Sequence, residues 1–253
     1  MFSGFYFTAP NGDTYAIYED TAFVGDYYIP YNAADYDLGA VFPSTGTTSS
    51  FQAENFTPTG NPICFLAGSL IATPKGEVAV ETLKIGDSIL TASGTVVPAK
   101  WIGRQHVAPF AVNMRLPERL APVRIAAGAL GEGLPHTDLT VTADHAMLIE
   151  GVICHAGALV NGTTITRVPL AEMGESYTVY HIETEAHEII LANGAPAETF
   201  IDNVSRRAFD NYAEFEELYG DVPEMEELPY PRAMSARQVP TRIQTKLSAE
   251  IAA

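Results

Sequence analysis

Two cysteines occur in this chain, and one of them, Cys64, lies in a turn-rich apolar run, NPICFLAGSLIATPKGEVAVETLKIGD, from Asn61 to Asp87. A thiol is a competent nucleophile only as its thiolate. With an ordinary cysteine pKa of about 8.5 it needs a base or a positive environment. The second stretch able to do chemistry is LTVTADHAMLIE, Leu139 to Glu150, where Thr142 and His145 stand three apart. That spacing puts a hydroxyl and an imidazole on one tight loop. The imidazole can protonate a departing nitrogen, and the hydroxyl or nearby backbone can hold a strained carbonyl. The third is YTVYHIETEAHEIILANG, with His181 and His187 six apart across a strand and its turn. Taken singly, each residue also has a structural reading, because free cysteine is among the most buried residue types and histidines often serve packing. Asp144, beside His145, can orient an imidazole as the third member of a triad does, but neighbours on a strand point to opposite faces, which favours exposure. Cys154, in GVICHAGALVNG, reads as core, and His106, His136 and His155 have only structural readings.

Positioning these groups falls to short strands. From Cys64 to about Asn203 the chain repeats one texture, β-branched or apolar runs separated by turn signals. SLIAT, SILTA, TVVPAKWIG, PVRIA, LTVT, AMLIEG, TTITRV, SYTVYHIET and HEIILANG are the candidate strands, broken by PKG, SG, EG and NG. Many short strands at this spacing predict a compact all-β fold rather than βαβ units. After Asn203, Ser205 can cap a helix in which Phe209, Tyr212, Ala213 and Tyr219 fall near helical spacing, with Gly220 as its stop. Eight acids lie between Asp210 and Glu227, followed by Arg232, Arg237, Arg242 and Lys246; these blocks read as a solvated tail. Residues 1–63 differ again, with seven acids, no Lys or Arg and fourteen aromatics. They read as a small β-rich leader containing a flexible connector, STGTTSS, at 44–50. The organisation is thus leader 1–63, central domain 64–203, and C-terminal helix and tail 204–253.

Composition narrows the partners. Fourteen basic against thirty-one acidic residues leave a formal charge of −17, which repels phosphate backbones and anionic membranes and argues against nucleic-acid binding. Two cysteines cannot make a disulfide framework, although a single bridge stays open, and the lack of a Cys-x-x-Cys pair argues against zinc. No cofactor or metal is expected. The N-terminus lacks the basic patch and apolar run of a signal peptide, and no stretch reaches the length of a membrane span. Two compartments remain, the cytoplasm and the exterior reached without a cleavable signal.

Cys64 with GSLIATPKG and LKIGD after it, then Thr142-x-x-His145, then Tyr180, His187 and Asn193-Gly194 resemble, in order and spacing, the Hint superfamily. That superfamily comprises inteins, the Hedgehog autoprocessing domain and bacterial intein-like domains. The resemblance covers roughly Cys64 to Asp202, and the last block looks most like the bacterial intein-like domains. It implies a horseshoe-like, pseudo-twofold β fold and a self-processing activity. In that activity the Cys64 thiol attacks the Ile63 carbonyl, converting the Ile63–Cys64 amide to a thioester by an N-to-S acyl shift. It further implies that His145 protonates the departing Cys64 nitrogen, that Thr142 orients the scissile peptide and helps carry oxyanion charge, and that His187 or His181 assists. The substrate is then the chain's own N-terminal segment, released to water, a thiol or an amine.

The chain departs from the splicing members of that superfamily. They end in His-Asn before a Cys, Ser or Thr; here the aligned place reads APAETF, with Ala197 and Glu198 in place of that pair. Glutamate does not readily form a succinimide, so ligation of the flanks is not expected. His181 stands where many inteins carry aspartate, and it can act as a base or simply pack on the sheet. A Hint fold retained as a structural or binding module, with the aromatic acidic leader as a calcium-responsive or ligand-responsive surface, is the alternative reading. If the self-processing roles hold, reference pKa values of about 8.5 for the thiol and about 6.5 for the imidazole predict a rate that peaks between about pH 6 and 8.5.

Overall fold

The computed structural model describes residues 2–8, 14–19, 26–30, 63–111, 114–115, 118–201, 206–223 and 225–252. The chain divides into two compact units, 1–60 and 61–253. In the first, β1 (Phe2–Thr8), β2 (Thr14–Glu19) and β3 (Asp26–Pro30) form an antiparallel sheet in the order β1-β2-β3. The connector at 44–50, Ser205 and Asn203 lie outside the described residues.

The second unit carries the remaining strands in chain order. They are β4 (Phe65–Leu66), β5 (Leu70–Thr73), β6 (Gly76–Ala79), β7 (Ser88–Leu90), β8 (Val96–Pro98), β9 (Trp101–Val107), β10 (Phe110–Ala111), β11 (Met114–Arg115) and β12 (Val123–Ile125), followed by β13 (Leu139–Val141), β14 (Ala146–Ile149), β15 (Val152–His155), β16 (Ile165–Arg167), β17 (Tyr177–Glu183), β18 (Ile189–Ala192), β19 (Ala195–Glu198) and β20 (Arg232–Ala233). Two sheets dominate. One runs β16-β12-β13-β4-β17-β9; the other runs β20-β15-β14-β19-β18-β5-β6. Each run anticipated from the sequence contains strand and the all-β expectation holds, but TVVPAKWIG is two strands rather than one, breaking at Ala99 and Lys100 into β8, paired with β7, and β9, paired with β17. β6, β15, β19 and the two-residue strands lie outside the anticipated runs.

The chain passes between the two large sheets at three places that matter. β4 leads to β5, β13 to β14 and β17 to β18. Cys64 immediately precedes β4, Thr142 to His145 form the second passage, and His187 lies in the third. Residues far apart in sequence are therefore gathered where one sheet hands over to the other. The β18–β19 turn, Asn193-Gly194, has both residues at positive φ, 48° and 77°, as a two-residue hairpin of the mirror-image type requires. The Asn193 side chain accepts from the Leu70 N–H at 2.7 Å and donates to Thr137 Oγ1 at 2.9 Å and the Asp138 carbonyl at 3.0 Å, fastening that hairpin to β5 and to the loop before β13.

Three short α-helices complete the unit, α1 (Ala156–Leu159), α2 (Tyr212–Tyr219) and α3 (Thr241–Ala252). Gly220 stops α2 as expected, at φ 59° with its N–H on the Glu216 carbonyl. The helix starts later than the sequence suggests. Phe209 falls in a preceding turn, and Asn211 spends its side chain on the Arg104 N–H and Ile102 carbonyl of β9 rather than on a cap. The solvated-tail expectation for the basic stretch is overturned. β20 pairs in parallel with β15, and α3 buries Ile243 and Leu247, one turn apart, in the main core beside Val239. The charges of Arg242 and Lys246 had obscured that apolar spacing; they reach outward to Glu150 and Glu132.

Candidate functional site

Strand register sets the site. β4 lies between β13 and β17, with Phe65 opposite both Val141 and Tyr180. One step back along β4, Cys64 comes opposite Thr142 on one side and His181 on the other. Directly opposite residues share a face of the sheet, so Thr142, Cys64 and His181 form a row. The row continues to Gly103 on β9, which pairs with His181. A glycine is required there, because a Cβ would lie 2.9 Å from both Phe209 Cδ1 and Trp101 Cζ3. The space so left admits Phe209, whose ring lies 5.6 Å from that of His181, while Phe200 meets the same imidazole edge-on at 4.9 Å. Cys64 thus sits in a second, smaller apolar cluster with Leu66, Trp101, Val179, Phe200 and Phe215.

Polar contacts converge on the Ile63–Cys64 peptide. Its N–H donates to Thr142 Oγ1 at 2.8 Å, and the Thr142 hydroxyl also reaches the Cys64 carbonyl at 3.3 Å. Its carbonyl, that of Ile63, is contacted by His181 Nδ1. A carbonyl oxygen only accepts, so Nδ1 carries the proton and the lone pair of the neutral ring is at Nε2. The Cys64 sulfur lies 3.9 Å from the same Nδ1. The two sides of the Ile63–Cys64 peptide are therefore divided. Thr142 holds the nitrogen, and His181, rather than Thr142, faces the oxygen.

His145 is buried against Phe65, with ring centroids 4.2 Å apart, and its backbone N–H closes the loop on the Thr142 carbonyl at 3.1 Å. Neither of its ring nitrogens makes a well-formed hydrogen bond among the described residues, although the ring lies close enough to the Ile63 backbone to interact with it. Burial lowers its pKa to about 4 against the opposing pull of Glu198, with His155 lowering it further and the Ile63 backbone raising it. Burial also holds His181 well below the ordinary histidine range, helped by His145, Arg206 and His187. It pushes the Cys64 thiol well above its usual value. The reference values suggested a bell centred near neutrality, yet the site moves thiol and imidazole apart. All three groups are uncharged through the neutral range, because the apolar cluster disfavours every charged form.

His187 is buried at the third passage. Its Nδ1 accepts from the Leu228 N–H at 3.2 Å, and its Nε2 lies 3.4 Å from Glu198 Oε2, close enough for an ion pair but poorly aligned as a hydrogen bond. Glu198, wholly buried, receives Arg232 Nη2 on the same oxygen at 2.8 Å. Despite burial its carboxyl is held below the ordinary range by His187 and Arg232. The sequence marked Glu198 only as unable to cyclise; an acid enclosed by Ala195, Ala197 and Phe200 was the available signal. Arg232 had none. Asp144 is half-exposed and pairs with His155 at 3.8 Å. Cys154 is core, its thiol raised to about 11 by burial, and both cysteines are free. Among the described residues no group of three or more His, Cys, Asp or Glu could hold a metal ion, and no helix is long and apolar enough to cross a membrane.

A family model described as the Hint domain matches residues 63–204. Among solved structures, the bacterial intein-like domain from Clostridium thermocellum is similar at 16% identity and a TM-score of 0.38, over 55% of this chain and 99% of that one. The MchDnaB-1 intein is similar at 15% identity and a TM-score of 0.37, over 53% and 98%. A DnaB intein from Synechocystis gives 14% and 0.36, over 55% and 99%. No curated protein matches.

Proposed function

Because the chain belongs to the Hint domain family, whose fold supports self-processing, we propose that it activates its own Ile63–Cys64 bond as a thioester and releases the segment before Cys64 without splicing. In this reaction the Cys64 sulfur bonds to the Ile63 carbonyl carbon, and the bond from that carbon to the Cys64 nitrogen breaks. The thiol proton ends on the freed amine, so the step is proton-neutral. Water or an added thiol or amine then takes the acyl group and regenerates the thiol. The observation that carries this reading is the embrace of a single peptide bond. Thr142 accepts its N–H at 2.8 Å, His181 faces its carbonyl, and the Cys64 sulfur stands 3.9 Å from that same imidazole.

The roles of Thr142 and His181 follow from these contacts, and that of His145 from the family resemblance. With its existing proton fixed on Thr142, the nitrogen pyramidalises in one sense and presents its new lone pair to a proton donor. His181 donates to the oxyanion from a site without bulk water, where one such donor contributes about 10²- to 10³-fold. His145, neutral at rest, takes the thiol proton as sulfur attacks and returns it to the departing nitrogen, serving as base and then acid. Splicing is not proposed. Ala197 has no proton to give and Glu198 is committed to Arg232 and His187.

The test is incubation of purified protein with dithiothreitol and measurement of intact mass. Wild type is expected to release residues 1–63 while Cys64→Ala stays whole. Equal survival of both removes this reading and leaves a Hint fold without cleavage.

A further inference from the structure

The residue that stands where splicing relatives would carry asparagine is a buried carboxylate with an unusual set of partners. Glu198 ends β19, and Ala197 before it pairs with Met147 on β14, two residues beyond His145. By that register Glu198 comes opposite Ala146, and His145, in the loop one residue before Ala146, lies at the same end of the two adjacent strands. A carboxylate this deep is costly unless cations and donors meet it. Two groups converge on its Oε2, Arg232 at 2.8 Å and His187 Nε2 at 3.4 Å. The Leu228 N–H on Nδ1 fixes the neutral His187 ring as the Nε2–H form, which presents that proton to Glu198. Arg232 arrives from β20, beyond residues 63–204 that the family model covers. Glu198 Oε1, by contrast, has no partner among the described residues, nor has Arg232 Nη1, and the His145 ring makes no well-formed hydrogen bond. A charged acceptor, an arginine N–H and an imidazole with only the Ile63 backbone near it are left over in one buried region. Buried polar groups are matched directly or through a bound water.

Resting on the self-cleavage reading above, we propose that Glu198, clamped by Arg232 and His187, is the positioning carboxylate of His145. It orients that imidazole and stabilises the cation formed while the proton passes from the Cys64 sulfur to the Cys64 nitrogen. Glu198 stays ionised throughout and exchanges no proton. The charged and titratable groups facing His145 are Glu198 from β19, His155 from β15 and His181 from β17; of these only Glu198 favours an imidazolium. Asp144, adjacent in sequence, does not fill this role, because it turns outward to His155.

The experiment pairs kinetics with a direct view of the imidazole. In the full chain at pH 7, Glu198→Gln is expected to slow dithiothreitol-induced release by roughly tenfold or more, and Glu198→Asp to recover part of that loss. In the uncleavable Cys64→Ala protein, histidine NMR should show the His145 protonation midpoint moving to lower pH when Glu198→Gln is added. Arg232→Lys, which keeps the charge but cannot hold Glu198 through Nη2 and Glu227 through Nε at once, should move the rate and the midpoint in the same directions and stands in if Glu198→Gln does not fold. An unchanged His145 midpoint overturns the proposal, even if release slows. If wild type does not cleave at all, the self-cleavage reading fails, while the NMR midpoint still decides whether Glu198 acts on His145.

Discussion

Lowering the pH from 7 to 5 should destabilise the second unit through His145. The folded protein holds this imidazole neutral down to about pH 4, whereas in the unfolded chain it titrates near 6.5. The unfolded state therefore binds more protons between those values, and stability falls as pH drops through 6.5; below about 4 both states are protonated and the loss levels off. For these two pKa values the cost is about 2 kcal/mol by pH 5 and about 3 kcal/mol by pH 4. His181, depressed in the same sense, adds to it. The interval from 7 to 5 is the informative one, since exposed carboxylates stay largely ionised there. Urea unfolding of Cys64→Ala, followed by fluorescence of Trp101, reports on this unit alone, because Trp101 is the chain's single tryptophan and is fully buried within it. Adding His145→Gln should flatten the pH dependence by about 2 kcal/mol over that interval, whatever it does to stability at pH 7. Parallel curves for the two proteins would refute the neutral, buried His145 on which the proton transfers rest.

The proposed proton-neutral acyl shift should give release that is flat from about pH 5 to about pH 8.5 at fixed dithiothreitol thiolate, declining only toward the His145 value of about 4; a bell centred at neutrality would contradict it. Thr142→Val removes the acceptor of the buried Cys64 N–H and should cost about 1–3 kcal/mol in urea unfolding, with slower release from the folded protein. Gly103→Ala should cost about 1–3 kcal/mol by overpacking and shift Trp101 fluorescence, because the new Cβ meets Trp101 and Phe209 at 2.9 Å. Unaltered fluorescence and stability would show that Phe209 does not depend on this gap.

The strands were legible because alternation and turn chemistry are local. LTVT and SYTVYHIET announce β13 and β17, and Asn-Gly announces the β18–β19 turn. Cys64, Thr142, His145 and His181 could be nominated by residue type and spacing, but their row could not, since it depends on β4 pairing with two strands about 75 and 115 residues downstream. The division of labour between Thr142 and His181 follows from that pairing. Glu198 was visible as a substitution and not as a buried charge, because its cation comes from a segment whose basic residues read as solvated. Burial also reversed the pH expectation, since reference pKa values carry no knowledge of the apolar cluster that holds Cys64 and His181 neutral.

The central proposal is a thioester at Ile63, and hydroxylamine marks such a bond where it forms. Mass spectrometry of the fragment released from wild-type protein should find residues 1–63 ending in a hydroxamate on the Ile63 carbonyl carbon, with the Cys64→Ala protein intact. A fragment ending at any other residue, or a wild-type chain that stays whole under hydroxylamine, would contradict cysteine-driven self-cleavage at Ile63–Cys64.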